Sequence, residues 1–463
     1  MVFSSLSFLF FFLPCTVLLY YLGRGRRWRN AVLLLASLLF YAWGEPRYVP
    51  VLLAAAAVAW LGGLCMARGG RVRKPAFVLT VVLLLGNLFF YKYLGFAAEN
   101  LGRLTGWEFP APAIALPLGI SFYTFQILSY VIDLYRGQVE LQRNYASLLL
   151  YVSFFPQLIA GPIVRYQSIE QALTERRESL EQVCRGLERF ALGLGKKVLL
   201  ANSAAYLAET VYAGDPAVYG AGALWLAALA YTLQIYFDFS GYSDMAIGLG
   251  RMFGFAFPEN FNYPYTALSV TDFWRRWHIS LSTWFRDYVY IPLGGNRVSR
   301  PRWVRNLLVV WALTGLWHGA SWNFVLWGLY YGLLLIGEKL FLAKLLEKLP
   351  RLLRWALTFL AVMLGWVLFN LTDFAQLSDV LGRMFLLAPT DWAAMLADDI
   401  GLVKGALVLP LGLVCALPLT RRLRQAEGLW PELARMAGSL VLLLLSLTVL
   451  FSTRYNPFIY FRF

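Results

Sequence analysis

Among 463 residues there are only two histidines, His278 and His318, and the second lies where an ionisable side chain is costly. It sits in "WHGASWN" (317–323), within 31 consecutive residues (307–337) that carry no Asp, Glu, Lys or Arg. The bland reading of a lone buried histidine is a core group hydrogen-bonded to a neighbouring helix. An ionisable group at membrane depth nevertheless marks a functional site by default, because burying it is expensive. Desolvation keeps an imidazole neutral and able to accept a proton at pH 7. With no cysteine and no metal cluster beside it, such a base suits activation of a hydroxyl toward an activated acyl group. The polar string "YFDFSGYSD" (236–244) ends another apolar run and offers Asp238, Ser240 and Asp244 to a shared wet cavity, and Asn323 lies within a turn or two of His318.

The other histidine belongs to a segment of a different kind, "TDFWRRWHISLSTWFRDYVYIPLGGN" (271–296), too charged to span a bilayer and too aromatic for a free loop. Phe273, Trp277, Leu281, Trp284 and Tyr288 recur at helical spacing, with Arg275, Arg276, Arg286 and Asp287 off that stripe. The pattern predicts one helix lying in the inner membrane interface, aromatic face down, capped by Thr271 or Asp272 and ended by Pro292 with Gly294 and Gly295. Its arginines are either interfacial anchors or the wall of a cytoplasmic entrance for an anionic cofactor, paired to phosphates. His278 is accordingly either a structural interface residue or part of a reaction tunnel.

The elements that must position these groups follow from composition. Hydrophobic residues make up 59% of the chain and charged residues 14%, against about 25% charged in a soluble globular protein. Apolar runs near the roughly 20 residues of a transmembrane helix recur from end to end, and they are too long and continuous for barrel strands. The expected fold is all-α and polytopic, a single membrane domain over 1–463 with roughly 10–12 membrane segments, some re-entrant or interfacial. Four scattered cysteines (Cys15, Cys65, Cys184, Cys415) with no CxxC and no Cys/His cluster leave no disulfide framework and no metal site to propose. The net charge of +15 sits mostly in short loops between apolar runs, so it reads as membrane topology and not as nucleic-acid binding. The first apolar stretch lacks a basic leader and precedes its positive cluster, which predicts a retained first helix instead of a cleaved signal.

Arginine clusters mark the inner side. "RGRRWRN" (24–30) and "RGGRVRK" (68–74) hold four basic residues each, "RRLR" (421–424) reads the same way, and 239–305 carries eight basic residues. The nearly neutral 95–113 and the acidic 372–400 read as outside. The run 145–164 is interrupted by Pro156, Gly161 and Pro162 and is expected to be broken or re-entrant. As one helix, 307–337 would be roughly 46 Å long at about 1.5 Å per residue, against a hydrocarbon core of about 30 Å. Both its flanks are basic, so it is expected to bend at "HGAS", where small residues let backbones approach.

Long strings then carry a resemblance: "YAWGEPRY" (41–48), "PLGISFYTFQILSYVIDLYRG" (117–137), "FFPQLIAGPIVRY" (154–166), "QIYFDFSGYSDMAIGLGRMFGFAFPENFNYPY" (234–265), "FWRRWHISLSTWFRDYVYIPLGGNR" (273–297), "LTGLWHGASWNFVLWGLYYG" (313–332) and the terminal "FIYFRF" (458–463). They resemble the membrane-bound O-acyltransferase superfamily, nearest its branch that O-acetylates alginate and other exopolysaccharides. The resemblance implies a ring of helices around a thin centre, where a cytoplasmic tunnel meets an extracytoplasmic funnel. The family's near-invariant membrane histidine falls on His318 and its second on His278. Also implied are a bacterial inner-membrane location, no tightly bound cofactor, acetyl-CoA or another acyl thioester as donor, and extracytoplasmic acetyltransferase partners that modify a secreted polysaccharide. Relatives that export D-alanine use a carrier-protein thioester on the same scaffold. The rival from another class is a transporter or flippase of a glycan intermediate with His318 as proton relay.

Overall fold

A computed structural model describes residues 1–463 except 108, 110–113, 398–399, 421–425, 454 and 459–463. The basic "RRLR" cluster, most of the terminal "FIYFRF" string and parts of 95–113 and 372–400 therefore lie outside the described residues. The described residues form helices and connections with no strand, as expected where lipid offers the backbone no hydrogen-bond partners. Five helical stretches among them are long and apolar enough to cross a bilayer: Pro46–Ala67, Gly70–Thr105, Trp322–Glu347, Arg351–Asn370 and Leu429–Ser452. Shorter apolar helices lie at Phe8–Leu22 and Gly401–Cys415. The chain is an all-α, multi-pass membrane protein.

Contacts group the chain into two compact units. The first comprises residues 1–190 and 245–258 and contains α1 (Leu13–Leu22), α2 (Arg26–Gly44), α3 (Val49–Ala67), α4 (Arg73–Leu88), α5 (Leu94–Thr105), α6 (Ile120–Arg136), α7 (Tyr145–Ser153), α8 (Phe155–Leu158), α9 (Tyr166–Glu175) and most of α10 (Leu180–Gly195). The run 145–164 is broken as its prolines predict: α7 stops at Ser153 and the chain is irregular and buried from 159 to 164. Protein groups satisfy the freed backbone, with the Ser37 hydroxyl accepting from the Phe155 amide at 3.1 Å and the Tyr151 hydroxyl donating to the Val164 carbonyl at 2.9 Å. Beyond α9 the enclosed Glu178 carboxylate collects Arg26 and Arg29 at 2.6 Å each and the Tyr20 hydroxyl at 2.5 Å. A buried charge persists only with such partners.

The second unit comprises residues 191–244 and 259–463. It holds α11 (Asn202–Ala213), most of α12 (Ala221–Met252), α13 (Val270–Arg276), α14 (Ile279–Phe285), α15 (Arg300–His318), α16 (Trp322–Gly337), α17 (Ala343–Glu347), α18 (Arg351–Asn370), α19 (Phe374–Phe385), α20 (Trp392–Ala397), α21 (Ile400–Cys415) and α22 (Leu429–Ser452). Its core is aromatic: Trp274, Trp277, Trp327, Tyr331, Trp366 and Phe369 are all buried against one another.

Two expectations are corrected here. The polar string 236–244 does not end a helix, because α12 runs unbroken from Ala221 to Met252; lysine partners, described below, let its aspartates stay inside. The segment 271–296 is not one interfacial helix. It breaks into α13 and α14 at Trp277 and His278, where His278 adopts φ 44° and ψ 53°. Its aromatic stripe faces protein and not lipid, since Phe273, Trp277, Leu281, Trp284 and Tyr288 are all buried. The cap is Ser269, whose hydroxyl accepts from the Asp272 amide at 3.0 Å.

The bend in 307–337 is present. The helix α15 ends on His318, three residues turn, and α16 returns antiparallel. Glycines allow the two backbones to touch: a Cβ on Gly315 would stand 2.1 Å from the Phe324 carbonyl oxygen, and one on Gly328 would stand 2.1 Å from that of Trp311. Overpacking of this kind costs about 1–3 kcal/mol. Gly315→Ala and Gly328→Ala are therefore expected to lower the thermal midpoint in detergent by several degrees. Gly382→Ala, whose added methyl would meet nothing within 4 Å, is expected to leave it unchanged or slightly raised.

Candidate active site

The site is built on the α15–α16 hairpin and on the broken α13–α14 segment, both in the second unit. His318, 6% exposed, is the last residue of α15. Its ring meets Trp317, Trp327 and Phe369 edge-on at centroid distances of 5.0, 5.1 and 5.3 Å. His278, 1% exposed, meets the same Trp317 ring at 5.8 Å and Phe239 at 4.6 Å, also edge-on. The chain's only two imidazoles thus share one indole, although 39 residues separate them in sequence.

Local chemistry explains how His278 reaches that place. Glu338, buried just beyond α16, accepts from the backbone amides of Val270 and Thr271 at 2.5 and 2.8 Å and from the Thr271 hydroxyl at 2.6 Å. A carboxylate against the first amides of a helix is favourable, and here it ties α13 to the end of α16. After α13 the chain turns sharply through His278. A left-handed conformation at a residue other than glycine costs on the order of 1–3 kcal/mol and needs fixing from outside. Asn260 supplies that: its carbonyl accepts from the Ile279 amide at 3.0 Å, and its side-chain oxygen lies 3.3 Å from His278 Nδ1. The Asn262 amide adds a bond to the Arg276 carbonyl at 2.9 Å.

A cavity of about 170 Å³ opens beside His278, lined by Ser282, Arg286, Tyr290, Trp311 and Thr314 among others. Arg286 is exposed and holds Asp287 through two bonds, at 2.7 and 3.2 Å. Arg276 pairs with Asp272 at 2.8 Å, and Arg275 is exposed. Of the three arginines singled out in the sequence, only Arg286 lines the histidine's cavity.

The polar groups divide. Asn323, fully buried in the first turn of α16, accepts from the Ser321 hydroxyl and donates to the Phe369 carbonyl at 3.5 Å, and so braces the turn after His318 and one of its aromatic walls. Asp238 instead meets Lys197 at 2.8 Å, and Asp244 meets Lys196 at 2.7 Å, with Ser240 3.5 Å from the same lysine. Phe239, between Asp238 and Ser240, is the residue of that string whose ring packs on His278. Lys196 and Lys197 were not singled out in the sequence. The structure makes them counter-charges inside the protein, and Lys197 also donates to the Pro457 carbonyl. Asn260, Trp317 and Glu338 were not singled out either. Their roles depend on contacts 18 to 68 residues away, for which spacing carries no signal.

Residues 141–372 match the membrane-bound O-acyltransferase family. The chain is 41% identical, over the full length of both chains, to the probable alginate O-acetylase AlgI of Azotobacter vinelandii. It is 34% identical to the peptidoglycan O-acetyltransferase of Helicobacter pylori, over 83% of this chain and 80% of that one, and 31% identical to the teichoic acid D-alanyltransferase of Bacillus subtilis over 47% and 58%. The chain belongs to the membrane-bound O-acyltransferase family. Its chemistry is therefore transfer of an acyl group from a donor to oxygen. Both histidines, Asn260 and the α15–α16 hairpin fall within the part matched to the membrane-bound O-acyltransferases.

His278 lies outside the five long apolar helices, and burial pushes its pKa from 6.5 down to about 3. Between those values the unfolded chain binds more protons than the folded one, so this group's contribution to stability is complete above pH 6.5 and is lost as the pH falls toward 3. The thermal midpoint of the wild-type protein in detergent should fall over that range. His278→Gln, which does not titrate, should fall less.

Proposed function

We propose that the chain passes an acetyl group from a cytoplasmic thioester, acetyl-CoA, across the bacterial inner membrane for O-acetylation of a secreted exopolysaccharide such as alginate. The final acceptor is reached through an extracytoplasmic acetyltransferase partner. The observation that carries this reading is the convergence of the only two imidazoles on Trp317, in a chain similar from end to end to a probable alginate O-acetylase.

His318 is the general base. It removes the proton of the acceptor hydroxyl as that oxygen attacks the thioester carbonyl. The new C–O bond forms, the C–S bond breaks, and the imidazolium returns the proton to the departing thiolate. Aromatic walls on several sides exclude water that would otherwise compete as acceptor. His278 lines the cavity where the thioester arm is held, with Arg286 at its wall taking the donor's phosphates and Arg275 and Arg276 aiding recruitment. Asn323 keeps the turn after His318 in place. Asp238, Ser240 and Asp244 act with Lys196 and Lys197 as the polar lining of the same membrane domain.

Isotope-labelled acetyl-CoA supplied to inside-out vesicles tests the reading. His318→Ala should lower acetyl transfer by about 10²–10⁴-fold, the usual worth of a general base. Unchanged transfer by a folded, inserted His318→Ala protein refutes the assignment and leaves a proton relay in a transporter as the better account. Arg286→Ala should raise KM for acetyl-CoA roughly tenfold, the loss of a charged hydrogen bond, while kcat stays within about twofold.

A further inference from the structure

We propose that Asn260 is a positioning residue that holds His278 as its Nδ1–H tautomer and so keeps Nε2 as the ring's hydrogen-bond acceptor; its role in the reaction rests on the acyl-transfer reading above. The tautomer follows from which atoms can only donate. The backbone amide of Ser280 is 3.2 Å from one terminal atom of the Asn260 side chain. A backbone N–H has no lone pair to offer, so that atom is the amide oxygen and not the nitrogen. The Ser280 hydroxyl, 2.9 Å away, donates to the same oxygen. Because this oxygen accepts only, the ring nitrogen that faces it at 3.3 Å, His278 Nδ1, must carry the proton.

A neutral imidazole has one ring proton, and its placement on Nδ1 leaves the lone pair on Nε2. That nitrogen is buried and meets no hydrogen-bond partner among the described residues. An acceptor without a donor is costly in an apolar interior, unless a bound molecule supplies the donor. His278 lines a cavity large enough for a small group, and Nε2 is the ring atom left to accept an N–H, O–H or S–H from a molecule held there. Asn260 is itself 1% exposed and grips His278 twice, through the ring and, at the Ile279 amide, through the left-handed corner. Ring orientation and backbone strain are thus fixed by one residue, as an orienting group fixes the tautomer of a catalytic histidine.

Only two histidines exist in the chain, so labelling with ¹⁵N-histidine gives two ring systems, and a His278→Gln sample assigns them. Nitrogen spectra of the full-length protein in lipid should show His278 protonated at Nδ1 and bare at Nε2. Asn260→Ala should release it to a mixture or to the Nε2–H form, whereas Asn260→Asp, which still offers an accepting oxygen, should keep Nδ1–H. In acetyl transfer, Asn260→Ala should lower kcat about 10- to 100-fold. Asn260→Asp should retain more of the activity and move the acid limb of the pH profile upward, because a carboxylate beside Nδ1 favours the imidazolium. An Nε2–H ring in the wild-type protein overturns the proposal even if Asn260→Ala does not fold, and so does an unchanged spectrum in a folded Asn260→Ala. Absence of acetyl transfer with an Nδ1–H ring counts against the functional reading and leaves the tautomer assignment standing.

Discussion

The backbone contact between α15 and α16 is the constraint on which the second unit turns. Two helices of an apolar chain gain nothing from hydrophobicity alone when lipid surrounds them, so their association depends on close packing. Gly315 and Gly328 remove the side chains that would keep the backbones apart, and each faces a carbonyl of the opposite helix. With the helices locked in that register, the turn between them falls immediately after His318. Asn323 braces the turn, and Trp327, from the return helix, closes one side of the imidazole. A looser hairpin would still cross the same thickness but would leave the ring without a fixed direction.

Charge inside the protein follows a second rule, seen at four of its enclosed carboxylates, which are matched where they are buried. Glu338 is held by two backbone amides and a hydroxyl, Asp238 and Asp244 by successive lysines, and, in the first unit, Glu178 by arginines and a tyrosine. Removal of one partner from such a set leaves an uncompensated charge, which costs far more than the pair contributes when intact. These pairs also act as registers. Lys196 and Lys197 fix one long helix by two successive contacts, and Glu338 fixes the short α13 that leads to His278. The histidine segment is thereby tied to the hairpin through its first turn as well as through Trp317.

Which features the sequence discloses depends on whether their cause is local. The hairpin is legible because 31 uncharged residues exceed one bilayer crossing and basic residues flank both ends. The break in 145–164 is legible from its prolines. Both histidines are legible by rarity and setting. The fold of 271–296 is not, because a helical period in the aromatic positions persists straight through His278 and gives no sign of its left-handed backbone. Those rings find protein partners such as Trp366, 4.8 Å from Trp277, and the pattern that suits a lipid surface suits an aromatic core equally well. Asn260 is the clearest miss. In "PENFNYPY" it is one polar residue among several, and only the fold brings it against His278.

The two imidazoles are held by different means, in keeping with the separate tasks proposed for them. His318 is fixed by rings: three edge-on aromatic contacts set its position but leave few directions from which a polar group can approach. His278 is fixed by a hydrogen bond to one amide side chain, which sets the place of its ring proton as well as its own. Aromatic edges position a base without titrating, as the role proposed for His318 asks. A group that receives a substrate's hydrogen bond, as proposed for His278, needs a tautomer that does not change between turnovers. Trp317 couples the two, because its ring touches both and cannot move for one without disturbing the other. Acceptor and donor would then be brought together by one rigid indole between two imidazoles and not by a mobile loop.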